Sequence, residues 1–235
     1  MSTPFGIYTI VDGVEVLTHE TWYLDGQLHN ADGPAEREWQ VVDGRAVLTC
    51  ERWYLDGQFH RIDGPAWRTW HVVDGRSVLT CEGWYLNDLP HRIDGPDYRI
   101  WHVVDGRPLL TCETWDLNGQ LHRTDGPAQR LWQVVNGERI LTDETWYLND
   151  HLHRIDGPAL REWNVGDGLT EPALTREEWY LKNIRVHPRI LRQPVRVIER
   201  WWLFHQARRQ KAIEETLWDN GMTVFPGFMG LLREY

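Results

Sequence analysis

Histidine stands at His29, His60, His91, His122 and His153, and cysteine at Cys50, Cys81 and Cys112, every member of each set 31 residues from the next. Imidazole and thiolate are good zinc ligands, and two thiols can form a disulfide. Aspartate keeps the same rhythm: Asp32, Asp63, Asp94, Asp125 and Asp156 each open an Asp-Gly-Pro, so by residue type a His–Asp hydrolytic pair is available in every copy. All three chemistries require groups to converge. Equivalent side chains in stacked two-strand repeats lie two strand widths apart, about 9.6 Å. That is too far for one metal ion shared between copies, and too far for a disulfide, whose Cα atoms must lie within about 7 Å. The thiols are therefore expected to stay reduced and packed. Each histidine, with the arginine after it (Arg61, Arg92, Arg123, Arg154; Asn30 in the first copy), is expected to hydrogen-bond a bend of the chain, where Asp63-type carboxylates cap backbone amides.

A catalytic centre is a unique constellation, and a ladder of equal residues offers no unique place for one. The chain shows no nucleophile elbow, phosphate loop or His-Glu-x-x-His. The expectation is a non-enzymatic protein with no catalytic, cofactor-binding or metal-binding residues. An enzyme would need one repeat to gain a base or ligand. The chief deviation is in the cysteine column, which reads His19 before Cys50 and Asp143 after Cys112.

The elements that carry these columns read as strands. Two tryptophan columns, Trp22, Trp53, Trp84, Trp115, Trp146 and Trp39, Trp70, Trp101, Trp132, Trp163, share the 31-residue period, the mark of a repeat array. Within residues 76–106 a β-branched and aromatic run from Ser77 to Leu86 meets the turn dipeptide Asn87-Asp88, and a second run ends at Asp105-Gly106. Repeats stack only if each has an even number of strands, so two long strands are expected, with His-Arg-Ile-Asp-Gly-Pro as a bend or bulge inside the second. A three-residue loop Val73-Asp74-Gly75 would pair 72 with 76, 70 with 78 and 68 with 80. That register puts Arg68, Trp70 and Val72 on one face with Val78, Thr80, Glu82 and Trp84, a ladder of indoles interleaved with Arg and Glu, and leaves Leu79, the cysteines and Tyr85 on the other. The fold class is mainly β: an elongated, twisted antiparallel sheet or solenoid of stacked hairpins, followed by a C-terminal α-helix.

The 235 residues are 41% hydrophobic and include 15 tryptophans, enough apolar surface to build a core. No stretch suits a membrane span, and the start lacks the basic, apolar and small-residue regions of a secretory signal, so an intracellular location is expected.

The rhythm fails near the end, where Trp179 follows Trp146 by 33 residues and His187 precedes a proline. The division expected is a partial repeat at 1–19, the array at 20–168, a degenerate repeat and linker at 169–193, a basic amphipathic helix at 194–219 opened by Pro194, and an extended apolar tail at 220–235. Residues 1–181 hold 15 basic and 30 acidic residues, whereas Lys182 to Lys211 carry nine basic residues against Glu199, a net of +8 in a chain of net −10. Three roles suit this segment: capping the open sheet edge, docking an acidic protein or assembly surface, or touching nucleic acid or an anionic membrane. The overall negative charge disfavours the last, so no nucleic acid is expected and membrane contact is disfavoured. Candidate partner-binding residues are Arg196, Arg200, Trp201, Trp202, Arg208, Arg209, Phe225 and Phe228.

The unit WYLDGQxHRIDGPA…VVDG, clear over 20–168 and partial over 1–19 and 169–187, resembles the Trp/Tyr-x-x-Asn/Asp-Gly-x-x-His-Arg-x-Asp-Gly-Pro-Ala repeats of many proteins of large DNA viruses and some bacteria and phages, relatives of the MORN repeat. MORN repeats proper are shorter and built on Gly-x-Gly. The resemblance implies a scaffold or interaction surface for other proteins, with no catalytic residues to carry over. It is consistent with a virion-associated role, such as a minor capsid protein, located in host cytoplasm or virion. The alternative is a carbohydrate- or peptide-binding module using the aromatic face. Packed indoles favour the scaffold, and open rings favour the ligand.

Overall fold

A computed structural model describes residues 3–166 and 172–187. The described residues form strands and turns with no helix, and the expected helix at 194–219 and tail at 220–235 lie outside them. Two compact units divide the chain: one holds 1–154 and 158–185, the other Ile155–Gly157 with the residues from Val186 on.

The repeating element is a pair of hairpins, one long and one short. Six long hairpins, such as Trp67–Val73 with Arg76–Gly83, lie in chain order in one antiparallel sheet. Each leads into a short hairpin, such as Tyr85–Leu86 with Leu89–Pro90. The first long hairpin, Thr3–Val11 with Val14–Leu24, is complete. Each repeat therefore has four strands, and the His-Arg-Ile-Asp-Gly-Pro segment is not a bulge inside a strand. It links the short hairpin to the next long one.

The loop at Asp74-Gly75 has two residues, because Val73 pairs with Arg76. Both loop residues are left-handed, φ 49° and 69°, as a type I′ turn requires, and its twist matches that of the strands. The three-residue loop expected from the sequence is thus wrong. The face argument behind it failed because a bulge intervenes: Trp70 pairs with Leu79 but Thr69 with Cys81, leaving Thr80 without a partner across the ladder. One extra residue reverses the alternation of every side chain beyond it. Leu79 therefore shares the face of Trp70, and Glu82 shares the face of Arg68. Cys81 and Gly83 face the other way, with Trp67 and Thr69.

The bulge is sealed by its own side chain. Thr80 Oγ1 donates to the Thr69 carbonyl at 3.1 Å. Thr18, Thr49, Thr111, Thr142 and Thr175 do the same to Ile7, Glu38, Ile100, Leu131 and Glu162 at 3.1–3.3 Å. Replacing Thr80 with valine keeps the shape and removes the donor, so urea unfolding should show a loss of about 1 kcal/mol.

Neighbouring long hairpins share backbone pairs only beyond the bulge, as in Cys50↔Thr69, Glu51↔Arg68 and Arg52↔Trp67. Their outer halves touch through side chains. Ser77 Oγ donates to the Leu48 carbonyl at 2.6 Å, and a groove of about 380 Å³ between tips is lined by Val73, Asp74, Arg76, Val78 and Gly106.

The short hairpins join one another through two backbone bonds per step, for example Arg61 N–H to Tyr85 O at 3.1 Å and Asp88 N–H to Phe59 O at 3.0 Å. Their aromatic rings run together, with Tyr54 4.3 Å from Phe59 and Phe59 5.4 Å from Tyr85. Most of the buried apolar residues are small: Ala35, Ala66, Ala128 and Ala159 are fully covered and Cys50 and Cys81 nearly so, with Leu181 the one large side chain as deeply covered among the described residues. A thin core of this kind draws its stability from repetition and polar joints rather than from large apolar side chains.

Candidate functional site

The Arg-x-Asp-Gly-Pro-Ala corner is a closed device. The Arg61 guanidinium lies flat over the Trp53 ring, 3.9 Å from its centroid, while Nε donates to Asp63 Oδ1 at 2.9 Å and Nη1 to the Pro65 carbonyl at 3.4 Å. Arg92 and Arg123 repeat the whole arrangement on Trp84 and Trp115, each at 4.0 Å. In the first copy Asn30 replaces arginine and still donates to Pro34 O at 3.1 Å. The glycine is required for space rather than for backbone twist: a Cβ on Gly64, Gly95 or Gly126 would stand 2.8–3.0 Å from the guanidinium carbon. The alanine is buried, and its carbonyl accepts the tryptophan amide, Ala66 from Trp53 at 2.7 Å.

The histidines do not serve their own bend, which corrects the reading from sequence. Each reaches the turn of the next repeat. His29 Nδ1 accepts the Asp56 amide at 3.1 Å, His91 the Asn118 amide and His153 the Lys182 amide, both at 3.2 Å. His60 meets Asn87 Oδ1 at 2.8 Å. Burial, with Lys182 and His151 nearby, holds His153 below its ordinary pKa, so its clip is kept at neutral pH and is lost as pH falls through the lowered value.

The cysteines are free thiols. Burial pushes Cys50 and Cys112 up to about 11 and raises Cys81 as well, so all three remain protonated and unreactive at neutral pH.

The charged residues of the long hairpins form one alternating row. Glu20, Arg37, Glu51, Arg68, Glu82, Arg99, Glu113, Arg130, Glu144, Arg161 and Glu177 are successive cross-strand partners. Ion pairs close at 2.8 Å for Arg37–Glu20, 2.9 Å for Arg99–Glu82 and 3.1 Å for Arg130–Glu113. Glu82 and Glu113 side chains are only 10% and 11% exposed, so each directly opposed pair contributes about 0.5–1 kcal/mol.

His19, Glu36 and Glu38 bring their ligand atoms within 4.8 Å of one another, the one such cluster among the described residues. Arg52 already neutralises both carboxylates at 2.7 Å, and these charge-assisted bonds raise its own pKa. A dication would have to displace a guanidinium, so the cluster reads as an ion-pair network.

One repeat departs from the pattern in its interior. Asp97 replaces the buried alanine and is 2% exposed, and Asp116 replaces the tyrosine of Tyr54, Tyr85 and Tyr147. The Asp116 amide donates to Asp97 Oδ1 at 2.7 Å, the Thr114 hydroxyl donates to the same oxygen at 3.5 Å, and the two carboxyl groups are close enough to share a hydrogen bond. Such a bond requires a proton. Desolvation, then the Asp116 charge, pushes Asp97 up to about 7, and desolvation also raises Asp116. Asp143, the deviation noted from the sequence, is paired in register with Glu162 and has no comparable burial. The signal that would have found the pair is the simultaneous break of two columns.

Arg196, Arg200, Trp201, Trp202, Arg208, Arg209, Phe225 and Phe228 lie outside the described residues. The fold and these joints define a β-hairpin repeat protein. Comparisons of the chain with family models, curated proteins and solved structures find no match.

Proposed function

We propose that the array is a non-enzymatic scaffold that holds protein partners at fixed spacing, with the basic C-terminal segment docking an acidic surface. The observation that supports this most is how the reactive side chains are used. The histidines clip one repeat to the next, the arginines cover the indoles, the thiols are buried at Cys50 and Cys81 and half-buried at Cys112, and the Glu/Arg row ties strand to strand. The charge contrast between the array and residues 182–211 supports docking through Arg196, Arg200, Arg208 and Arg209, with Trp201, Trp202, Phe225 and Phe228 as apolar anchors. A virion-associated role rests on the repeat resemblance alone.

Co-purification with mass spectrometry, using the full chain and a chain lacking 188–235, tests the docking role. The expected result is a protein partner that is lost on truncation and whose capture falls steeply as salt is raised. Equal capture by both chains would remove the C-terminal segment from the proposal. A second reading, carbohydrate or peptide binding, is favoured by the second column, Trp39, Trp70, Trp101, Trp132 and Trp163, whose rings are half-buried rather than fully covered. Quenching or enhancement of tryptophan fluorescence by an oligosaccharide or extended peptide would support it.

A further inference from the structure

The fourth short hairpin, Asp116–Leu117 with Gln120–Leu121, meets the sheet differently from its neighbours. Where Tyr54, Tyr85 and Tyr147 pack a ring, it offers a carboxyl group, and the sheet answers with the carboxyl of Asp97. The two substitutions are complementary in position, since each is placed against the other across the same joint. Replacing an aromatic contact by a hydrogen-bonded pair of acids changes what holds the joint. A packed ring is indifferent to pH, whereas the buried Asp97 carboxyl and the half-buried Asp116 carboxyl can bind each other only while one keeps its proton.

The surroundings do not rescue the charged form. The titratable groups facing the pair are Tyr85 of the third short hairpin, Cys112 on the adjoining long strand, and Asp150 at the turn of the fifth short hairpin, all of them acids. Asp97 accepts from the Asp116 amide and the Thr114 hydroxyl, both neutral, and among the described residues no cation is paired with it. The backbone bond across this joint, Arg92 N–H to Asp116 O, is 3.3 Å, against 3.0–3.1 Å for its equivalents at Asn30, Arg61, Arg123 and Arg154.

We propose that the Asp97–Asp116 pair is a proton-operated latch: with one proton shared it fastens the fourth short hairpin to the sheet, and on losing that proton it releases the hairpin while the rest of the array stays folded. Release is local because each repeat is joined only to its neighbours. Its direction follows from linkage. Both folded pKa values lie above the unfolded one, so the folded joint binds protons more tightly, and its stability is full in acid and falls as pH rises through neutrality.

Hydrogen exchange of the full chain, expressed as protection factors so that the intrinsic pH dependence cancels, gives the test. Between about pH 5 and about pH 8.5 protection over 115–121 should fall at least about tenfold, with no comparable fall over the equivalent 146–152. Two variants should abolish that fall. Asp97→Ala with Asp116→Tyr restores the residues of the other repeats, and Asp97→Asn keeps a neutral donor at all pH values should the double variant fail to fold. A fall in 115–121 no larger than in 146–152, or one that persists in Asp97→Asn, overturns the latch.

Discussion

Deleting residues 36–66, one full period, is expected to leave a continuous folded array, whereas deleting 36–50 is expected to break the array at that point. After the full-period deletion Ala35 is followed by Trp67, and the strand Val14–Leu24 meets Trp67–Val73 as Arg45–Arg52 does in the intact chain. Glu20 then faces Arg68 in place of Arg37, the amide of Trp22 keeps its acceptor at Ala35, and the row of alternating charge remains unbroken. The sheet simply has two fewer long strands. The shorter deletion joins the chain inside a strand and carries away the turn, the bulge at Thr49, and Trp39 with its cross-strand partner Leu48. Circular dichroism and urea unfolding decide it: a single cooperative transition with a smaller m-value for the first chain, and a split or broadened transition with lost strand signal for the second.

Trp84→Ala should be the most damaging single substitution in the corner. The ring is covered by Arg92 at 4.0 Å and approached by Arg99 at 5.9 Å, and the same two arginines hold Asp94, the Pro96 carbonyl and Glu82. Removing the indole leaves a void beneath a guanidinium whose plane it fixed. The cost should be about 3 kcal/mol, the low end for loss of a large aromatic because the ring is half-buried. Arg92→Lys, which keeps the charge but loses the flat fork, should cost about 1–2 kcal/mol in the same urea titration. A loss for Trp84→Ala no larger than for Arg92→Lys would mean that the ring is not what the corner is built on.

The period, the hairpins, the two indole columns and the Arg68/Glu82 alignment were legible because each recurs at 31 residues, and recurrence marks a position whatever its role. The parity beyond Thr80 was not legible from alternation, since counting by twos assumes an unbroken ladder. The threonine column held the clue: a hydroxyl at every copy of a mid-strand position, where a side chain that only packed would not need one. The histidines were assigned to the wrong partner because their acceptor role is met 27 residues ahead, in the next repeat, and no local pattern points there. Asp97 was not legible because a column of alanines carries no sign of its burial, and at a small buried position one carboxyl changes the chemistry most.

The outer halves of the long hairpins, which share no backbone ladder with their neighbours and meet them only through side-chain contacts such as Ser77 to the Leu48 carbonyl, give the molecule a row of teeth. Pro108 already stands in one of them, a residue that cannot donate and that an interior strand paired on both sides would reject. A foreign peptide spliced into successive tips at Asp43-Gly44, Asp74-Gly75 and Asp105-Gly106 would therefore be displayed as a comb, at intervals of about 9.6 Å set by strand geometry and in a copy number set by how many periods the gene encodes.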